Sequence, residues 1–358
     1  MRVVVQQAHF ATALDAVCKG ISKDNTNAAY GGVLLETDGD ALMLTSMNVT
    51  RSIRYRISAS VEEPGVALLP GTLLSKTVAK MPDMPVTVET DGTSNVVTCG
   101  RSRLRLTSID AERFGGFPEV DATSTITIPR GMFVSMASRA SRCASKESMG
   151  REEFTAVHVQ ACDGRLMMHA TDTYRMVEVA SDASLGDFEA MLSATSMRDM
   201  CDMACSDEVE IGVSENQVRM SSGNVTYVSR VIEGRFPRFD AIVPSDCMTR
   251  VHIDTRELQD ALGRVAGVAK ANGKVEIAVG DDVMGLRAFA PDSGEAVESV
   301  SVEMDGSQNA INLSCQFMSE GLRLMGESTE LRLVDSGRPA VMASYGECDV
   351  TYVLMPLR

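Results

Sequence analysis

Tryptophan is absent from this chain, and aromatic residues of any kind are scarce: 10 Phe and 6 Tyr in 358 residues. The apolar interiors must therefore be mostly aliphatic, with the 23 Met residues as adaptable filler. No apolar run approaches the roughly 18 residues of a membrane span. The opening Met1-Arg2-Val3-Val4-Val5-Gln6-Gln7 turns polar too early for a secretory leader. No C-x-x-C pair occurs among the nine cysteines, and the four histidines are scattered, so no metal-ligand spacing is present. The thiols read as small buried hydrophobes in a reducing cytoplasm. Phosphate-cradling glycine loops, H-E-x-x-H and G-x-S-x-G are all missing. Neither a catalytic centre nor a cofactor is called for. Positive charge is also short: 34 Lys and Arg stand against 49 Asp and Glu, a net charge of −15. That balance argues against a protein whose whole surface grips nucleic acid.

What is present is repetition. Val86-Thr87-Val88, Val209-Glu210-Ile211 and Leu331-Arg332-Leu333 recur at steps of 123 and 122 residues, each followed by an apolar strand near Val96, Val218 or Val341. Each copy opens with a helical stretch, and in the third Leu258, Leu262, Val265 and Ala269 mark one buried face. Ser46 to Arg51 aligns with Ala170 to Arg175. The expectation is an α+β chain of three repeated domains, 1–122, 123–246 and 247–358. Each would pack two helices on antiparallel sheets of about eight short strands.

The scarce basic residues gather in the predicted helices (8–20, 72–81, 130–146, 194–205, 255–270, 314–325). These hold twelve Lys or Arg against six acids, which leaves −21 for everything else. Arg139, Arg142 and Lys146 form one stripe on the third helix, opposite Met132, Met136 and Ala140. A single stripe is an ordinary solvated face. Positive helices throughout, with negative strands and loops, point instead to a shared lining for a polyanion. A sequence-specific regulator would need base-reading side chains on a helix-turn-helix, and no such signature appears.

Gly100-Arg101-Ser102-Arg103, Ala170-Thr171-Asp172-Thr173-Tyr174-Arg175, Gly234-Arg235-Phe236-Pro237 and the closing Tyr352-Val353-Leu354-Met355-Pro356-Leu357-Arg358 resemble, in order and from end to end, the bacterial DNA polymerase III beta subunits, the sliding clamps. The resemblance implies a head-to-tail homodimer closed into a six-domain ring that encircles duplex DNA without reading its sequence. Such a clamp is a processivity factor without catalysis. Its partners are the clamp loader, DNA polymerase catalytic subunits, and repair and ligation proteins. They dock short extended segments, with a Gln and two large apolar side chains, in one pocket.

By position, that pocket would be built from Phe154, Thr171, Thr173, Tyr174, Arg175, Met176, Pro237, Ile242, Gly337, Pro339, Val353, Leu354, Met355, Pro356, Leu357 and Arg358, with Arg175 and Arg358 as polar anchors. DNA-facing candidates are Lys19, Lys23, Lys76, Lys80, Arg139, Arg142, Lys146, Arg198, Arg264 and Lys270. At the subunit seam the strand Arg101 to Leu106 would pair with an edge of the third domain. There Leu104 and Leu106 would lie near Val268, and Arg101 and Arg103 near Glu295 and Glu298. The chain departs from the family at Thr173, where Gly is usual, and at Ala241, where Arg is frequent. Asp24, Thr72 and Thr195 stand where relatives often carry Arg or Lys.

Overall fold

A computed structural model describes residues 1–22, 27–91, 94–148, 150–269, 273–292 and 294–357. Six α-helices interrupt 26 strands among them. The helices are α1 (Gln7–Cys18), α2 (Gly71–Val78), α3 (Arg130–Ala140), α4 (Ala194–Met203), α5 (Thr255–Ala269) and α6 (Cys315–Leu322). The chain folds as two compact units, residues 1–134 with 198–231, and residues 135–197 with 232–358.

In the first unit, one sheet runs Ser60–Glu63, Arg2–Gln6, Pro85–Thr90, Asn95–Cys99, Ser102–Leu106. The other joins four strands of the second repeat (Ser124–Pro129, Glu208–Val213, Gln217–Ser222, Val225–Arg230) to four of the first (Arg51–Ser58, Ala41–Met47, Gly32–Asp38, Val66–Pro70). The second unit repeats the plan. Phe188–Ser193, Ala156–Cys162, Arg165–Thr171 and Arg175–Asp182 continue into Asp349–Leu354, Ala340–Ser344, Ser328–Leu333, Thr249–Asp254 and Glu303–Gly306. A separate sheet holds Gly294–Ser301, Val283–Ala290, Lys274–Gly280 and Asn309–Ser314. Every pairing is antiparallel, so successive residues alternate between a core face and a solvent face.

Two ladders cross from one repeat to the next, and they share a register. Tyr227 stands opposite Ile53, and Tyr352 stands opposite Val177. All four side chains are fully buried. The Tyr352 ring lies so close to α6 that a Cβ on Gly321 would meet it at 2.5 Å, which is why glycine occupies that turn. The ladders also correct the third repeat. Val3, Ile126 and Val251 pair with Val88, Ile211 and Leu331, so Leu331 rather than Leu333 is the counterpart of Val88 and Ile211.

The helices form for ordinary reasons. Leu258, Ala261, Leu262, Val265 and Ala269 give α5 a buried stripe against Val283–Ala290 and Gly294–Ser301, and Asp254 caps its first turn through the Glu257 amide at 2.8 Å. Ser314 caps α6 through the Phe317 amide. On α3 the buried face is Phe133, Met136, Ala137 and Ala140, with Met132 only half-buried. This helix stops at Ala140, because the Arg142 and Cys143 amides bond back three residues, to Arg139 and Ala140, and tighten the chain into a turn. Arg142 and Lys146 therefore lie beyond α3, and the expected three-residue helical stripe is not formed.

All nine cysteines are free thiols. Burial pushes Cys18 up to about 11 and Cys143 and Cys201 up to about 12, so these three are inert at neutral pH.

Candidate functional site

Within the second unit, the hairpin from Arg165–Thr171 into Arg175–Asp182 turns through Asp172, Thr173 and Tyr174. The Asp172 carboxylate accepts from the Tyr174 and Arg175 amides, both at 3.1 Å, an Asx-type turn. The Thr171 hydroxyl donates to the Arg175 carbonyl at 2.7 Å and accepts from the Thr173 amide at 3.1 Å. Beside this turn the segment 236–243 folds over the sheet, packing Phe236, Phe239, Ile242 and Val243 against Met176, Val341 and Val353.

A pocket of about 200 Å³ opens there, lined by Phe154, Thr171, Thr173, Arg175, Met176, Pro237, Ile242, Val353 and Met355. Every lining residue belongs to the set expected from the sequence. Six others of that set lie elsewhere. Leu354 is buried in the sheet beneath, Tyr174 stands outside against Phe317, and Gly337 lies in the turn closed by Asp335. Pro339, Pro356 and Leu357 are half-buried away from the lining, and Arg358 is outside the described residues. The pocket is apolar with a few hydroxyls at its lip, a chemistry suited to aliphatic anchors of an extended segment.

Arg175, in the pocket lining, is also held by contacts within the protein. Its guanidinium is buried and already engaged, through Nε to Asp172 at 2.9 Å and through Nη1 to Glu320 and to the Tyr352 hydroxyl. Nη2 reaches the Arg142 carbonyl at 3.4 Å, and the plane lies 4.5 Å from the centroid of the Phe317 ring. Four of five donors are thus satisfied inside the protein. Arg175 is a clamp that ties the second repeat to α6 and the closing strand. Burial alone would raise the Glu320 carboxyl, yet hydrogen bonds from Gln316 and Arg175 hold it below the usual range. Phe317 and Glu320 carried no sequence signal, since their link to Arg175 spans some 140 residues.

Behind the pocket wall lies a layer of rings. His158 and His169 stand opposite each other and stack at 5.6 Å, with Phe236 5.2 Å above His158 and Phe239 5.5 Å from His169. Glu189 and Glu178 accept from the two Nε2 positions, each at 2.9 Å. Burial, with the neighbouring His169, outweighs Glu189 and depresses His158. The unfolded chain therefore binds this proton more readily. The His158 contribution to stability is complete above the ordinary imidazole value of about 6.5 and is lost as pH falls below it. The thermal midpoint is expected to drop between pH 7.5 and 5, and His158→Phe, which keeps the stack, is expected to flatten that slope. An unchanged slope in the variant would assign the acid sensitivity elsewhere.

The basic residues are distributed differently from the expectation. Inside the six helices as they stand, six basic residues meet six acids. Of the excess, Lys19, Lys80, Arg142 and Arg323 sit just past helix ends, where cations complement the helix dipole, and Lys146 lies further on in the loop after α3. Lys76, Lys80, Arg142, Lys146 and Arg198 are exposed. Lys19 is tied to Asp202 and Arg264 to Glu298, and half-buried Arg139 donates to Ser135. Lys23, Asp24 and Lys270 lie outside the described residues.

At the free edge of the first sheet, Leu104 is half-buried and Arg101, Arg103 and Arg105 are exposed. Leu106 is not available to a partner, because its side chain, 4% exposed, is enclosed in its own domain. At the far edge of the last sheet, Glu295 pairs with Arg287, Val297 is exposed, and Val268 is half-buried on α5.

Three family models match nearly the whole chain. They are the DNA polymerase III beta subunit N-terminal domain over residues 1–118, the central domain over 127–238 and the C-terminal domain over 240–358. Among similar proteins are beta sliding clamps of Synechocystis sp., 25% identical, and Streptomyces coelicolor, 26% identical, each alignment covering 100% of this chain and 99% of the relative. The fold matches the DNA polymerase III beta subunit of Thermotoga maritima (TM-score 0.93, 21% identity) and the sliding clamp of Pseudomonas aeruginosa bound to griselimycin (TM-score 0.94, 22% identity). Both structural matches cover 100% of this chain and 99% of the other.

Proposed function

We propose that this protein is a DNA sliding clamp, since the chain belongs to the DNA polymerase III beta subunit family. Two copies close head to tail into a ring around duplex DNA. Polymerases, the clamp loader and repair and ligation proteins are held through the apolar pocket. The observation that carries this reading is the pair of ladders running between repeats. Tyr227 and Tyr352 occupy equivalent places, opposite Met220 and Met342 in their own hairpins, and the first-repeat equivalent, opposite Val97, is Leu104. Ile53 and Val177 are each the third residue of an eight-residue strand, and the third-repeat equivalent is Ala296 in Gly294–Ser301. The junction used twice within the chain thus has one more half at each free edge. A second copy completes it by setting Leu104 opposite Ala296 and Arg105 opposite Glu295, which covers two sheet edges otherwise open to aggregation.

The mechanism is topological. A closed ring does not leave DNA sideways, so weak, water-separated contacts from Lys76, Lys80, Arg142, Lys146 and Arg198 suffice and permit sliding. The net charge of −15 discourages DNA from wrapping the exterior. We assign the protein no catalysis of its own, because the pocket has largely apolar walls and its arginine is held by protein partners through four of its five donors. No helix among the described residues is long and apolar enough to cross a membrane, and we place the protein in the cytoplasm with the replication machinery. Loaded onto nicked circular DNA, it is expected to stay bound through gel filtration and to be released when the circle is linearised. Equal loss from both substrates would refute encirclement.

A further inference from the structure

Thr173 has a backbone φ of +78°, in the left-handed region. Among the described residues the other non-glycine positions with positive φ are Asp163, Asp281 and Asp282, whose short polar side chains tolerate it, whereas a β-branched residue there is strained. The strain is held in place by the turn around it, where Thr171 and Asp172 pin the amides of Thr173, Tyr174 and Arg175. Strain held this way gathers at functional positions, and this position is the lip of the pocket. The two threonine hydroxyls of the lining differ. That of Thr171 is engaged as donor and acceptor, whereas Thr173, exposed, makes no side-chain hydrogen bond among the described residues. Its hydroxyl and methyl stand at the opening of the pocket.

We propose that Thr173 is a specificity-determining residue that narrows the pocket at its lip, so that the anchor a docked segment lodges beside it is an isobutyl-sized aliphatic side chain rather than a benzyl one. This rests on the reading of the pocket as a peptide site. The Cβ, hydroxyl and methyl that threonine adds over glycine match in number the heavy atoms by which the benzyl side chain of phenylalanine exceeds the isobutyl side chain of leucine. The lining Met176, Ile242 and Val353 is aliphatic, and in a cavity of about 200 Å³ three added heavy atoms at the lip take up a substantial share of the room for an anchor.

The test compares two peptides, Gln-Leu-Asp-Leu-Leu and Gln-Leu-Asp-Leu-Phe, on the full-length protein and its Thr173→Gly and Thr173→Val variants by calorimetry. The parent is expected to prefer the leucine peptide by at least about tenfold, the scale on which an apolar pocket separates substrates by size. Thr173→Val keeps the branched shape and is expected to keep that preference. Thr173→Gly is expected to abolish or reverse it and to melt no lower than the parent, because glycine accepts the positive φ. If both peptides bind the parent and Thr173→Gly leaves their ratio unchanged, Thr173 does not set specificity although the pocket stands. If neither peptide binds the parent, the pocket reading itself falls, and the proposal with it.

Discussion

A Leu104→Glu, Arg105→Glu double variant is expected to sediment as a monomer at micromolar concentration and to be lost from circular DNA as fast as from linear. Each of the two seams is built on the Leu104 edge of one copy, so the damage is doubled. A carboxylate in place of Leu104 would be buried opposite Ala296 without a cation, at a cost of about 3–5 kcal/mol. At 1.4 kcal/mol per decade, two seams weaken dimerisation by roughly four to seven decades. Leu106 is left alone, because its side chain belongs to the domain core and a charge there would unfold the domain rather than open the ring. The register has its own check. Leu104→Cys with Ala296→Cys is expected to oxidise to a covalent dimer, and Arg103→Cys with Ala296→Cys is not, since strand neighbours point to opposite faces. A double-Glu variant that remains dimeric would overturn the seam.

Replacing Arg175 by Ala is expected to lower the melting temperature by about 6–20 °C. Removing one partner of a buried ionic cluster costs about 3–5 kcal/mol, and each kcal/mol moves a unit of this size by about 2–4 °C. The loss has three identifiable parts: Asp172 and Glu320 retain charges without their cation, the Tyr352 hydroxyl loses a donor, and Phe317 loses the guanidinium stacked on it. Arg175→Lys is expected to recover only part, because a point charge cannot reach four acceptors and keep a planar stack. Scanning calorimetry decides this. A variant that melts with the parent would show Arg175 free to serve docked ligands, as its place in the sequence motif suggested.

The history of Arg175 shows where sequence reading succeeds and where it stops. The repeat was legible because three copies of one hydrophobic pattern leave the same spacing, and the stripe on α5 and the Asp172 turn are local chemistry. The pocket lining was legible because its residues sit in short motifs carried by the family. What the motif does not carry is who else claims a side chain. Glu320 and Tyr352 meet Arg175 only after the sheet closes, and nothing in a window of sequence announces it. The end of α3 was missed for a related reason. Arg142 and Cys143 continue the helical pattern, but their amides bond to carbonyls three residues back, a tighter turn that brings the Arg142 carbonyl to Arg175. The expected positive excess of the helices is not found within them, where six bases meet six acids, because a cation past a helix end looks the same in sequence as one on its face.

The ladder between Arg175–Asp182 and Asp349–Leu354 joins segments separated along the chain by as many as 179 residues, from Arg175 to Leu354. A ribosome adding about 5–20 residues per second leaves the earlier strand without its mate for roughly ten to forty seconds. During that interval the nascent chain presents a bare hydrogen-bonding edge to every other nascent copy nearby. Arg175, Glu178 and Asp182 set charges along it, the kind of gatekeeping that discourages strands from pairing with the wrong neighbour. The charges on the strand that runs past the apolar pocket thus also suit it to waiting, unpaired, for its mate.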